Sequence, residues 1–434
     1  MLTTDIYRTY LAILRTELVP ALGCTEPIAV AYAASKAAEV LGVRPERAEL
    51  WCSGNIVKNV KGVVVPNTGG LKGIDAAAIA GIVGGDPSMG MQVLETVTSG
   101  HHAEIKTLLA AGFCRTRLIE EEDNLFIIAK VFAGDDSAEV FIKGSHTNIF
   151  RILKNGRALV DRECEGGQNR AACEVDHTLL NVRDIIAFAD SVELADIADI
   201  ISAQIEKNTR ISEEGLRGEY GVSVGRMLLK HFGTDLKTRA KARTAAGSDA
   251  RMSGCALPVI INSGSGNQGM TVSLPVITYA EDMALDREKL YRALVLSNLI
   301  AIHQKRSIGK LSAFCGAVSA ACGSGAAITY MSNGDYAAIS KTITNTLANI
   351  GGIVCDGAKP SCAAKIASAV DAAIMAHHLS AEGRVFSDGD GLVTSDVEGT
   401  IANIGRMASA GMKSTDVEIL RLMIGPEVSP DVSA

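Results

Sequence analysis

The sequence predicts an α+β fold: a predominantly helical domain with Gly-rich turns, into which a small α+β lobe is inserted. Three observations carry this. Apolar residues recur at helical spacing through Ala-rich stretches in both the first and the last parts of the chain. Between about residues 91 and 172 the texture changes to short β-rich runs bounded by turn residues. Finally, 43 glycines and only 4% aromatic residues among 434 imply a core of Ala, Val, Ile and Leu, with helices packed closely around tight turns. The expected division is a helical domain in two parts, 1–90 and 173–434, around the lobe at 91–172.

Each element follows from local pattern. Residues 1–45 read as helices, with Leu14, Leu18 and Leu22 at helical spacing and a turn at Gly23-Cys24-Thr25-Glu26-Pro27. Pro27 suits the first turn of the next helix, and Thr25 is its expected cap. Residues 50–70 read as a strand or turn segment, after which Gly69 and Gly70 lead into another Ala-rich helix. In the lobe, 125–132, 138–143 and 148–153 are strand-like, the first two separated by Gly134-Asp135-Asp136, and 162–176 reads as the return linker. From 177 onward the pattern is mostly helical, with Gly-rich turns at 262–269, 351–359 and 388–391.

Composition excludes several function classes. The net charge of −7, with no basic run, argues against a nucleic-acid footprint. The first twenty residues form an amphipathic pattern rather than a secretory signal, and the longest weakly polar stretch, Gly316–Met331, is too short to span a bilayer. The expectation is a cytoplasmic protein with no membrane partner. Its ten cysteines then stay reduced, and Cys52, Cys114, Cys164 and Cys173, without companion motifs, read as inert packing.

Three segments could carry chemistry. In Cys355-Asp-Gly-Ala-Lys-Pro-Ser-Cys362 the turn residues can bring two thiolates toward one centre with backbone N–H groups nearby, which suits a metal cluster as well as a plain structural turn. Cys315 and Cys322 share a helix face, and at most one of them would add a third thiolate. Gly254-Cys255 through Asn262-Ser-Gly-Ser-Gly-Asn-Gln-Gly269 looks like a carboxylate cradle, with glycines for close approach and Asn262, Ser263, Ser265, Asn267 and Gln268 as polar groups. It is also similar to the Ser-Gly-Asn loop of pyridoxal-phosphate enzymes, yet the preceding Ser248–Ser253 stretch has no lysine for a Schiff base. Among the histidines, His303 stands out only for its place before Lys305 and Arg306.

Taken together, these residues resemble the iron–sulfur L-cysteine desulfidases, relatives of the α chain of iron–sulfur L-serine dehydratases. The resemblance runs from Gly23-Cys24-Thr25-Glu26-Pro27 through Lys58-Asn59, Val65-Pro66-Asn67-Thr68-Gly69 and the 262–269 loop. It continues through Ile308 to Gly316 and ends on Cys355 to Cys362. It implies a [4Fe–4S] cluster on Cys315, Cys355 and Cys362, a small amino-acid substrate with Asn59 and Thr68 among its contacts, and a homo-oligomer as the one assembly left open. It also implies β-elimination of L-cysteine to sulfide, ammonia and pyruvate, with an open iron as Lewis acid. L-Serine dehydration is the alternative of the same type, and a non-catalytic iron–sulfur sensor the alternative of another class. The chain departs from the dehydratase relatives in a shorter loop between the paired cysteines and in having no cysteine near its C-terminus to cap that iron.

Cys24 and Glu26 are the expected catalytic pair. A thiol at a helix start should have a lowered pKa, making Cys24 a base for the α-proton or a transient iron ligand. Glu26 competes for the base role, although a carboxylate in a first helical turn is also an ordinary dipole partner.

Overall fold

A computed structural model describes residues 2–119, 123–162 and 175–424. Cys164, Cys173 and most of the expected return linker lie outside them. In chain order the described elements are α1 (Thr4–Glu17), β1 (Pro20–Leu22), α2 (Thr25–Leu41), β2 (Arg47–Ser53), α3 (Gly54–Val60), α4 (Ile74–Gly84) and α5 (His102–Ala110). There follow β3 (Cys114–Ile119), β4 (Phe126–Ala133), β5 (Asp136–Lys143), β6 (Ile149–Lys154) and β7 (Arg157–Asp161). The remainder is α6 (Val182–Ser191), α7 (Leu194–Arg217), α8 (Val224–Phe232), α9 (Leu236–Met252), β8 (Pro258–Ile260), α10 (Gly266–Asp282) and α11 (Arg287–Ile308). The last helices are α12 (Gly316–Met331), α13 (Tyr336–Ile350), α14 (Cys362–Ala381), α15 (Val397–Arg406) and α16 (Lys413–Ile424). The protein is therefore α+β and predominantly helical.

The Gly- and Ala-rich composition is spent on close helix crossings. α2 and α4 are buried nearly all round, and Gly81 of α4 lies so near Ala31 of α2 that a Cβ would fall 2.3 Å from its carbonyl oxygen. Gly215 of α7 meets Ala246 of α9 in the same way, at 1.9 Å. Any larger side chain at either position would push the helices apart, so small residues here set the packing distance.

Six of the described strands form one sheet in the order β3-β2-β4-β5-β6-β7, with β2 parallel to β3 and the other neighbours antiparallel. β4, β5 and β6 fall within two residues of the runs read from sequence. β2 comes from Arg47–Ser53, N-terminal to 91–172, so the sheet draws on chain outside that stretch. The segment after it corrects the sequence reading: Gly54–Val60 is a helix, because α3 buries its β-branched residues between α2 and α16 rather than in a sheet. Thr25 is also not the cap of α2; Cys24 holds the N-cap position and Thr25 is the first helical residue. No helix among the described residues is long and apolar enough to cross a membrane.

Candidate active site

Four helices begin at one cavity. The N-termini of α2, α10, α12 and α14 converge on it, and none of their N-cap residues, Cys24, Ser265, Cys315 and Ser361, makes a side-chain capping bond. Helix starts carry free N–H groups and partial positive charge, so this convergence favours anionic occupants. The cavity holds about 720 Å³ of atom-free space, part of it open to solvent.

Two short pairings assemble it. Antiparallel pairing of β1 with β8, Leu22 opposite Pro258, ties together the segments that lead into α2 and α10, which leave from opposite ends of a three-residue ladder. A bridge between Phe314 and Val354 is flanked by bonds from Cys315 N–H to the Ile353 carbonyl (2.9 Å) and from Cys355 N–H to the Ala313 carbonyl (2.6 Å). This aligns the segments bearing Cys315 and Cys355. The chain then turns at Gly357, whose φ of +92° and close seat on the Lys58 carbonyl (a Cβ would be 2.4 Å away) both require glycine. Lys359, at 2.5 Å, and Lys365 clamp Asp356; burial opposes its ionisation, but the two ammonium groups bring its carboxyl down to about 2. Behind the loop, buried Lys58 pairs with Asp416 of α16 and donates to the Ser312 and Cys355 carbonyls.

Eight cysteines are described, all free, and only Cys315, Cys355 and Cys362 are not buried. All three line this cavity. Cys322 does not; it is fully buried with its Sγ toward the Ile343 carbonyl. Burial, then the neighbouring Cys355, pushes the Cys315 thiol up to about 12, and burial also raises Cys362. Against this, the backbone amides of Ala317 and Lys359 act to lower the Cys315 and Cys362 thiols, the direction in which N–H groups near sulfur favour thiolate. Among the described residues no three His, Cys, Asp or Glu side chains converge on a single ion. A multi-iron cluster needs no such convergence, since each thiolate meets its own iron. Three thiols around one cavity, with N–H donors and helix N-termini facing it, fit a cluster.

Cys24 and Glu26 line the same pocket as the three thiols. The Cys24 Sγ–H donates to Glu26 Oε2 at 2.9 Å, Thr25 Oγ1 to the same oxygen at 3.1 Å, and Asn59 Nδ2 to Oε1 at 3.2 Å. This overturns the expected low Cys24 pKa. Burial, then the charge of Glu26, pushes the thiol well above its ordinary value, and Arg251 only partly offsets them. The helix dipole is too weak to win in so buried a place. Burial alone would raise Glu26 too, but His146, the Cys24 thiol and its own backbone N–H hold the carboxyl at about 2. Glu26 is thus the ionised partner and Cys24 the protonated one.

Of the other sequence-derived residues, Asn59, Ser265, Asn267 and Gln268 line the pocket, and Thr68, Asn262 and Ser263 do not. Thr68 is fully buried in its own turn, donating to the Val65 carbonyl (2.7 Å) and accepting from Leu71 N–H (3.2 Å). Asn262 donates to Asn298 Oδ1 (2.9 Å) and accepts from Ser263 Oγ (2.9 Å), in a buried network that continues to Gln204. Asn262→Ala should therefore lower stability by about 1–3 kcal/mol in urea unfolding, the cost of stranding buried partners, and leave substrate KM within about twofold. A tenfold rise in KM with unchanged stability would return Asn262 to the pocket. His303 is likewise outside, bonded to Glu398 at 2.7 Å.

The sequence reading passed over four contributors. Arg251 lines the pocket from the end of α9, Lys305 from α11 and Lys310 from the following loop. Burial lowers the Lys305 ammonium to about 8, against the opposing influence of Cys355 and Cys315. From the lobe, His146 reaches in, buried, with Nε2 3.8 Å from Glu26 Oε1. Asn124 Nδ2 also binds the carbonyl of Leu311, a pocket residue, at 2.8 Å, so the lobe touches the site twice.

A helical α+β chain with three half-open thiols at a convergence of helix starts defines a recognisable class. Residues 88–421 match the serine dehydratase alpha chain family, and the chain belongs to it. That span holds the three thiols, Arg251 and the 262–269 loop; Cys24, Glu26 and Asn59 precede it. Similarity extends over nearly the whole chain in three curated relatives, each called a UPF0597 protein. That of Lachnoclostridium phytofermentans is 53% identical, covering 96% of this chain and 100% of its own. That of Desulfitobacterium hafniense is 52% identical (96% and 97%), and that of Fusobacterium nucleatum 43% (95% and 98%).

Proposed function

We propose that this chain is an iron–sulfur lyase acting on L-cysteine, releasing sulfide, ammonia and pyruvate. The observation that carries the reading is that Cys315, Cys355 and Cys362, the only described cysteines that are not buried, all line the cavity that also holds the Cys24–Glu26 pair. These three thiolates would hold a [4Fe–4S] cluster, whose chemistry there is Lewis acidity toward a sulfur leaving group. The chain's own residues handle protons and position. Glu26, ionised and the sole acidic side chain among the described residues lining the pocket, accepts the α-proton. The Cα–H pair of electrons forms the Cα–Cβ double bond as the Cβ–S bond breaks and sulfide leaves. Cys24, protonated and 2.9 Å from Glu26, is placed to return a proton to the departing sulfur. The aminoacrylate so released tautomerises and takes up water to give pyruvate and ammonia.

The name of the family favours a second reading, L-serine as substrate. A hydroxide is a harder and poorer leaving group for iron than a thiolate, which is why cysteine is preferred here. The anaerobically reconstituted protein should convert L-cysteine to equal amounts of sulfide, ammonia and pyruvate without added pyridoxal phosphate. A higher kcat/KM for L-serine would make it a dehydratase. Turnover that survives complete removal of iron would sink both readings, and a loaded protein that turns over neither amino acid would be a sensor.

A further inference from the structure

Arg251 is a buried cation without an anion. It is only 2% exposed, and among the described residues it makes no ion pair with a carboxylate. Its Nη1 donates to Asn267 Oδ1 at 3.2 Å, while Nε and Nη2 have no partner. Those two nitrogens form one edge of the guanidinium, the edge that takes a carboxylate by two parallel bonds. Elsewhere in the chain Arg151 uses the same edge on Asp161, from Nε at 3.1 Å and from Nη2 at 3.3 Å. A guanidinium desolvated to this extent is costly unless an anion joins it.

The surroundings suit one. Arg251 lines the pocket beside Ser265, Asn267 and Gln268, where α10, 17 residues long, starts without a side-chain cap. The first-turn N–H groups of that helix have no partner within it and present positive potential. Gly266, the first residue of α10, lets the guanidinium pack close against that helix start: a Cβ there would fall 2.4 Å from Arg251 Nε. Gln268 Oε1, also buried at this end of the cavity, has no partner either and can accept from an ammonium group.

We propose that Arg251 and the first turn of α10 form the seat of an α-amino acid's carboxylate, with Gln268 Oε1 on the side of its amine. This deepens the reading of the pocket as an amino-acid site and does not depend on which β-substituent leaves. The thiols then lie toward the side chain of the bound amino acid and Arg251 toward its carboxylate, which makes the carboxylate a condition of binding.

The test uses the full chain without metal and L-alanine, which has the carboxylate and amine of the substrate and no leaving group. Calorimetry should show L-alanine binding the wild type at least about tenfold more tightly than L-alaninamide, the scale of losing hydrogen bonds to a charged group. Arg251→Gln should lose that preference and bind L-alanine at least about tenfold more weakly, with near-ultraviolet circular dichroism unchanged. Arg251→Lys, which keeps the buried charge but not the two-pronged edge, guards against misfolding and should also weaken L-alanine. Equal affinity of the wild type and the folded variants for L-alanine would overturn the proposal. So would a wild type that fails to favour L-alanine over its amide. Preference of the loaded enzyme for serine over cysteine would change the function proposed above and leave these outcomes as they stand.

Discussion

Changing Cys355 or Cys362 to serine should abolish iron binding. Reconstituted wild-type protein should hold about four irons per chain, with a broad visible absorption that oxygen bleaches. Each single Cys→Ser variant at 315, 355 or 362 should hold close to none, because a cluster bound by three thiolates loses a third of its anchorage with one of them. The metal-free variants should unfold at nearly the wild-type temperature, since these side chains are partly open to the cavity and little packing is lost. Cys322→Ser is the control. Its sulfur is fully buried 3.8 Å from the Ile343 carbonyl, away from the cavity, so its iron content should match the wild type. Loss of iron in Cys322→Ser with retention in Cys315→Ser would move the third ligand to the other end of that helix face.

Glu26→Gln should lower kcat by at least about a hundredfold with iron content intact, the usual scale for removing a general base. Gln is nearly isosteric and can still accept from Asn59, so the fold should tolerate it. Cys24→Ala should bring a loss of similar order, because the other donor to that Glu26 oxygen, the Thr25 hydroxyl, is a weaker acid than a thiol. The pH dependence offers a second reading of the same pair. A carboxyl held at about 2 is ionised throughout the working range, so Glu26 should contribute no acid limb near 4.5 to kcat/KM. The stability it contributes is present above the ordinary carboxylate pKa and is lost only as pH falls toward 2. Near wild-type kcat in Glu26→Gln would place the base elsewhere, and His146 would be the next side chain to change.

Much of the architecture was legible because it is local. β-rich runs between turn residues marked β4, β5 and β6 within two residues, and Ala-rich stretches marked the helices α2 and α4. What escaped is non-local. Residues 50–53 read as part of a strand or turn segment, but the sequence does not show their pairing with β3 and β4, more than sixty residues away in the case of β3, nor that α3 becomes a helix by packing on α16 at the far end of the chain. In the site, the cysteine loop and the polar turn before α10 could be seen as chemistry-bearing, but not which of five neighbouring polar residues face the cavity. That is decided by backbone: Ser263 and Gly264, at φ of +49° and +77°, reverse the chain so that Asn262 points into the core and Ser265 into the pocket. The Cys24 pKa failed for a different reason. Sequence shows a helix start, which lowers a thiol, and does not show the depth of burial that outweighs it. Arg251 had no sequence signal at all, lying among Ala, Ser and Gly in a helix buried along most of its length.

The position of β2 makes the lobe impossible to excise as a cassette. Cutting out 91–172 would strip β2 of both neighbours, leaving Leu50 and Cys52, now fully buried, on a bare strand with two open edges. Such a strand is a template for aggregation. The same strand runs straight into α3, which carries Asn59 and Lys58, so the scar would also cut the backing of the pocket.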